Sequence, residues 1–220
     1  MTSPDYARIR LGYNAEPLLE GDLAPHPMAQ FEAWFAQALT ADVIEPNAMT
    51  LATIDPDGKA AARTVLLKGL DARGFQFATN YSSAKATDID AHSSVALVFT
   101  WLPLSRQVCI RGTATKAPRE ESAAYFATRP RGHQLGAWAS QQSQVIANRE
   151  ALQENYATFD AQFDQNVPLP DNWGIFIVRP DTVEFWQGQE SRLHDRLRYR
   201  RIADLGLDES QAWTIERLAP

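Results

Sequence analysis

The residues of this chain best suited to chemistry are cationic and aromatic, and they come in separate groups. Tyr125 and Arg129 stand four apart in a stretch rich in Glu and Ala. On a helix they share one face and offer a hydroxyl and a guanidinium to a phosphate. The same spacing equally describes a helix-surface pair. Lys85 follows Ser82 and Ser83 at a predicted helix start, a combination that suits an anion, although a capped helix start looks the same. Arg63 and Lys68 lie five apart in one predicted strand. An odd spacing puts them on opposite faces, so they would take different anions unless the strand is bulged. Two solvated charges on an edge strand fit that spacing as well. The segment from Trp186 through Gln187, Gly188, Gln189, Glu190, Ser191, Arg192, Leu193, His194 and Asp195 to Arg196 runs an aromatic strand end into a cluster of charges. Composition alone leaves it either a surface charge network or a pocket wall.

Common catalytic signatures are missing. There is no Gly-x-Gly-x-x-Gly, no P-loop, no nucleophile elbow and no His/Cys metal spacing. His26, His92, His133 and His194 are scattered, so no metal site is expected. The formal net charge of −6 gives no general attraction to nucleic acid or anionic membranes. An anionic ligand therefore needs basic residues gathered locally. The single cysteine, Cys109, excludes an intramolecular disulfide and fits a reducing compartment. It sits in the apolar run Val108-Cys109-Ile110 and reads as buried packing. No signal-peptide or membrane-spanning stretch is seen, so a cytoplasmic location is expected.

These groups need a scaffold, and the hydrophobic pattern supplies one. Residues 1–26, with prolines at 4, 17 and 25, read as an extended or mobile arm carrying Arg10 and Tyr13. A domain spanning 27–220 follows. Met28, Phe31, Trp34, Phe35, Ala38 and Leu39 recur at helical spacing behind Pro27. Strands are expected over 48–54, 60–68 and 75–79, joined at Asp55-Pro56-Asp57-Gly58 and Asp71-Ala72-Arg73-Gly74 turns. A helix over 82–92 precedes strands over 94–101 and 107–115. A helix from Pro118 to about Thr128 is stopped or kinked at Pro130, and another spans 147–165. Short strands are expected at 174–178, 182–187, 197–201 and 213–218. Strands joined by short turns favour an antiparallel sheet or barrel over a parallel one.

Taken in order, a set of segments resembles the pyridoxine/pyridoxamine 5′-phosphate oxidase family. They are Glu45-Pro46-Asn47-Ala48-Met49, Arg63-Thr64-Val65-Leu66-Leu67-Lys68, Arg106-Gln107-Val108, Tyr125-Phe126 with Arg129-Pro130-Arg131, and Gln134-Leu135-Gly136-Ala137-Trp138. Gln142-Ser143, Pro168-Leu169-Pro170 with Trp173-Gly174, Glu184-Phe185-Trp186-Gln187-Gly188, Arg192-Leu193-His194-Asp195-Arg196 and Arg217-Leu218-Ala219-Pro220 complete it. The resemblance runs from about residue 27 to the last residue, and the ordered set is far more specific than any one motif.

The resemblance implies an α+β fold, mainly β with flanking helices: an antiparallel Greek-key split β-barrel of the FMN-binding type. It implies a homodimer with two FMN sites at the subunit interface. Pyridoxine 5′-phosphate or pyridoxamine 5′-phosphate would be oxidised by O2 to pyridoxal 5′-phosphate, with hydride transfer from C4′ to flavin N5. FMN contacts carry over to Arg63, Thr64, Val65, Leu66, Leu67, Lys68, Ala78, Thr79, Lys85, Gln107, Gln142, Ser143, Trp186 and Arg196. Arg63 and Lys85 are expected at the FMN phosphate. Lys68, Tyr125, Arg129 and His133 are expected at the substrate phosphate, and Arg192, Leu193 and His194 at the pyridine ring, with Arg192 and His194 catalytic. Arg10 and Tyr13 match an arm motif that closes over the substrate. Two positions depart from the family pattern. His133 stands where serine is common, which implies an altered pH dependence of phosphate binding. Ala84 stands where arginine is common, which implies weaker FMN binding. The rival readings are an oxidase of phenazine biosynthesis, a non-catalytic binder of flavin or pyridoxal phosphate, and an interaction barrel without chemistry.

Overall fold

The computed structural model describes residues 5–8, 12–13 and 15–220; Arg10 lies outside the described residues. Helix α1 (Pro27–Thr40) starts where proline can sit without losing a hydrogen bond, and His26 Nδ1 accepts from the Ala29 N–H at 3.2 Å to cap it. Its buried stripe is Phe31, Trp34 and Ala38. Strands β1 (Ala48–Ile54) and β2 (Ala60–Asp71) form a hairpin. In its turn Asp55 Oδ1 accepts from the Asp57 and Lys59 N–H groups, and Gly58 takes a φ of 83°. β3 (Gly74–Asn80), α2 (Ala84–Ala91), β4 (Ser94–Trp101) and β5 (Arg106–Lys116) follow. Then come α3 (Arg119–Ala127), α4 (Arg131–Ala139), α5 (Arg149–Gln162), β6 (Trp173–Gln187), β7 (Asp195–Arg201) and β8 (Trp213–Arg217).

All pairings are antiparallel, in the order β3-β2-β1-β4-β5-β6-β7-β8, with β3 also paired to β6. The extra pairing closes β1–β6 into a six-stranded barrel, and β7 and β8 extend it as a flap of sheet. The expected split barrel with flanking helices is therefore the fold observed. β6 makes the split. Its first half, Trp173 to Val178, pairs with β3, and its second half, Thr182 to Gln187, pairs with β7. β5 runs beside both halves, with its register shifted between Arg111 and Gly112 so that Asp181 is the extra residue of a bulge. Pro180, which has no N–H to donate, sits at that bulge. A side chain at Gly112 would strike the Arg179 carbonyl.

Two expectations change. The separate strands expected at 174–178 and 182–187 are one continuous strand, because a bulge absorbs the proline that broke the sequence pattern. Pro130 does stop α3, but it is also the residue preceding a helix that was not expected, α4. Alternating side chains fill the barrel: Phe75 and Phe77, Leu97, Phe99 and Trp101, Val108 and Ile110, Val183 and Phe185. Phe31 of α1 closes one end, with ring centroids 5.0 Å from Phe75 and 4.9 Å from Phe99. Each such buried side chain contributes about 1.5–3 kcal/mol. A second cluster of Phe126, Leu135, Val167 and Trp173 fixes α3 and α4 against the start of β6. Among the described residues, no helix is long and apolar enough to cross a membrane.

Candidate active site

A cleft of about 720 Å³ opens between the β2–β3 wall and helices α3 and α4. Thr64, Leu66 and Lys68 line it at strand period. β2 is bulged at Lys68: Leu67 pairs with Phe77 and Gly69 with Gln76, leaving Lys68 as the extra residue. Arg63 does not line this cleft. Its guanidinium points to the other side, donating to Asp88 Oδ2 at 3.1 Å and to Thr53 Oγ1 at 2.5 Å. The Thr53 hydroxyl itself donates to Asp88 at 2.5 Å. Arg63 and Lys68 thus point to different sides of β2, as their odd spacing requires. Leu67 turns inward against the barrel core.

Lys85 enters the cleft from the first turn of α2 and is 9% exposed. Its ammonium donates to Gln142 Oε1 at 3.0 Å and to the Thr79 and Ser83 hydroxyls at 3.3 Å. Thr79 also donates to Gln142 Oε1 at 3.0 Å. Among the described residues, no carboxylate lies within ion-pairing distance of Lys85. Burial pushes its pKa below the usual lysine range, the nearby Arg63 charge pushes the same way, and Asp88 opposes them. A buried cation held only by neutral oxygens is a site that favours an arriving anion.

Tyr125, in the last turn of α3, and Arg129, two residues past its end, face the cleft. Trp173 is their shared floor: the Tyr125 ring stacks on it with centroids 6.1 Å apart, and the Arg129 guanidinium lies 4.6 Å from its centre. Arg129 Nη1 is buried and has no hydrogen-bond partner among the described residues. Burial lowers the Arg129 pKa and raises that of Tyr125. His133, in the first turn of α4, is exposed and lines the same cleft. Ala78 lines it too, whereas Ser143 does not; Ser143 is exposed with a φ of 72°.

The remaining predicted residues gather at the other end of β6. Gln107, Trp186 and Arg196, adjacent across β5, β6 and β7, line a cleft of about 340 Å³ that shares no residue with the first. Arg196 pairs with Glu184 at 2.7 Å. Cys109 lines this cleft as well. It alternates outward from buried Val108 and Ile110, so it is half-buried instead of a core residue. Burial pushes its thiol pKa up, away from the thiolate. Arg192 and His194 lie in the β6–β7 loop with the Tyr13 ring between them. Tyr13 is edge-on to His194 at 5.4 Å and to Trp186 at 5.7 Å, and the Arg192 guanidinium lies 5.6 Å from its centre. His194 Nδ1 accepts from the Gln189 N–H at 3.0 Å, so the neutral ring carries its proton on Nε2. Burial, then the Arg192 charge, holds the His194 pKa below its ordinary value. Ser191 and Arg192 both have left-handed φ angles, 55° and 65°. The sequence marked this loop only as a concentration of charge; nothing in it signalled the parts that Gln189 and Asp195 take in holding it.

Comparison with known proteins places this architecture. Residues 35–163 match the family described as pyridoxamine 5′-phosphate oxidase, and residues 173–220 match the pyridoxine 5′-phosphate oxidase C-terminal dimerisation region. This chain belongs to the pyridoxamine 5′-phosphate oxidase family. The pyridoxine/pyridoxamine 5′-phosphate oxidase of Salinibacter ruber is 52% identical over 216 residues, covering 97% of this chain and 98% of that one. The Rubrobacter xylanophilus oxidase of the same name is 51% identical, covering 98% and 97%. Among solved structures, PhzG from Burkholderia lata, in complex with tetrahydrophenazine-1-carboxylic acid, superposes with a TM-score of 0.85 at 28% identity, covering 94% of this chain and 99% of PhzG. An FMN-binding protein of Nostoc punctiforme shares the fold, with a TM-score of 0.67 at 19% identity over 90% of this chain and all of that one. The match over β6–β8 supports a homodimer for this oxidase-family chain.

Proposed function

We propose that this chain oxidises pyridoxine 5′-phosphate or pyridoxamine 5′-phosphate to pyridoxal 5′-phosphate with FMN as cofactor and O2 as electron acceptor, releasing H2O2 and, from the amine, NH3. The observation that carries this reading is one cleft with three cations that lack a carboxylate partner among the described residues: Lys68, buried Lys85, and Arg129 with its unpaired Nη1. Cofactor and substrate each bring one phosphate, and the cleft offers cations to both. Lys85, with Thr79 and Gln142 beside it, suits the FMN phosphate; Arg63, already paired with Asp88, stands behind it as a second positive charge. Ala84, at the start of α2, adds none. Lys68, Tyr125, Arg129 and His133 suit the substrate phosphate, and Trp173 keeps Tyr125 and Arg129 in place.

FMN, when bound, supplies the hydride acceptor and returns the electrons to O2. The protein's part is orientation and electrostatics. In this reading Arg192 and His194 face the pyridine ring, Arg192 as a fixed positive charge and His194 as a neutral donor through Nε2. Gln107, Trp186 and Arg196 hold the flavin from the second cleft. The two clefts lie apart on one chain, so we assign their meeting to the homodimer, each site drawing on both subunits. The reading of location that accompanies this chemistry is cytoplasmic.

The structural match to PhzG favours a second reading, a flavin oxidase acting on an aromatic carboxylate. Anaerobic titration of the purified protein with pyridoxine 5′-phosphate separates the two. The expected result is bleaching of the flavin band at about 450 nm, reversed by air, with aldehyde formed. A yellow protein that stays oxidised with both vitamers would move the function to another substrate. A colourless protein that takes up no FMN would remove the cofactor as well.

A further inference from the structure

The loop that displays Arg192 and His194 is closed by hydrogen bonds that also grip the N-terminal arm. Asp195, the first residue of β7, is the centre. Its Oδ2 accepts from Gln189 Nε2 at 2.9 Å and from the Leu18 N–H at 3.0 Å, and its Oδ1 accepts from Arg217 Nη1 at 2.7 Å. Gln189 Nε2 donates a second bond to the Glu16 carbonyl at 3.1 Å. The same residue's backbone N–H is the one that donates to His194 Nδ1. Arg217 donates to the Leu18 carbonyl at 2.9 Å and pairs with Glu20 at 2.7 Å. That bond holds the Glu20 carboxyl down at about 2.

The Gln189–Asp195 bond spans the strained pair Ser191 and Arg192. Left-handed backbone at residues with a Cβ persists only where the surroundings hold it, and this bond ties the two ends of the strained stretch together. Tyr13, three residues before Glu16 in the sequence, has its ring against both His194 and Arg192. Gly188 gives that ring room, since a Cβ there would lie 2.7 Å from Tyr13 Cδ1.

We propose that Gln189 and Asp195 are positioning residues: they fasten the N-terminal arm to the β6–β7 loop, so that docking of the arm and orientation of Arg192 and His194 are one event. The kinetic part rests on the oxidase reading above; the structural part does not. The test uses the full-length FMN-loaded protein and the variants Asp195→Ala, Asp195→Asn and Gln189→Ala. Amide hydrogen exchange across residues 15–20 reads the arm, and steady-state oxidation of pyridoxine 5′-phosphate reads the orientation. Losing charge-assisted bonds to Asp195 is expected to speed exchange of the Leu18 amide by about tenfold or more. It should lower kcat/KM by a similar factor with FMN content unchanged, and Asp195→Asn, which keeps an acceptor for Leu18, should be milder than Asp195→Ala. In a Gly188→Ala background, where Tyr13 is already displaced, Asp195→Ala should add little. A merely structural role predicts additive losses that track FMN content, and that result overturns the proposal. Unchanged exchange overturns it too, as does faster exchange with unaltered kinetics. If Asp195→Ala does not fold, Gln189→Ala, which cuts only a side-chain amide, decides the matter. A wild-type protein that oxidises neither vitamer would defeat the oxidase reading, and the exchange rates would still decide whether the clamp holds the arm.

Discussion

The two halves of the proposed site are built by opposite means. The anion cleft belongs to regular elements: a bulged strand, the first turn of α2 and the ends of α3 and α4, all set by the barrel and by the Trp173 cluster. Its cations are in place before any ligand arrives, held by neutral oxygens or by an aromatic floor. The Arg192–His194 region is an irregular loop with two left-handed residues, kept in shape by side-chain hydrogen bonds to an arm from the far end of the sequence. Rigid elements suit the binding of a group that does not change during reaction. A loop held by separable bonds suits groups that must meet the reacting carbon and then release product.

Substitutions in the two halves should therefore fail differently. Arg192→Ala is expected to lower kcat by about a hundredfold or more, the scale for removing one oriented charge or donor at a reacting centre, while the purified protein keeps its flavin absorbance. Equal losses of turnover and flavin would erase the distinction between the halves. In the proposed site, Arg129→Ala would remove a bond made to the substrate phosphate in ground and transition states alike. Steady-state kinetics should show KM raised by about ten- to a hundredfold with kcat little changed.

Lys85→Met tests the prebuilt cleft from the other side. It should weaken FMN binding by about tenfold or more. It should also raise the Tm of the FMN-free protein by about 2–4 °C, the equivalent of ~1 kcal/mol in a chain of this size, because an uncompensated buried charge is gone. The sign follows from the lowered Lys85 pKa. Between that value and the ordinary 10.5 the unfolded chain binds more protons than the folded one, so stability of the FMN-free protein should rise with pH in that window. Melting curves of the methionine variant should lose that slope. The smallest effect belongs to His194. Its neutral form is favoured below the ordinary 6.5, so the acid limb of kcat/KM against pH should fall below that value. Arg192→Gln, by removing a neighbouring charge, should move the limb upward.

Much of the scaffold was legible because its periods are clean. Phe75 and Phe77, Leu97 and Phe99, and Val108 and Ile110 alternate, and Phe31 and Trp34 recur at helical spacing. What misled was proline and glycine. Pro180 looked like a strand end and is a bulge, since the lost donor costs nothing where the ladder is already interrupted. Gly132 and Gly136 hid α4, which tertiary contacts through Leu135 stabilise despite weak propensity. In the site, the five-residue spacing of Arg63 and Lys68 correctly required opposite faces or a bulge, and both occur. The Asp88 partner of Arg63 lies on another element and leaves no local trace. Gln189 and Asp195 sat inside the segment already marked as unusual, but their partners Glu16, Leu18 and Arg217 are distant in sequence, and only the fold brings them together.

The double allegiance of β6 bears on how the chain comes off the ribosome. The barrel closes through pairs such as Thr79 with Gly174, so β1–β5 must emerge long before the strand that seals them. Until then the growing chain holds an open sheet with Phe75, Phe77, Leu97 and Phe99 uncovered and β3 as a free edge, the kind of surface that invites association with other nascent chains. Closure and flap formation both wait on β6, so that surface stays open until a late segment has been made.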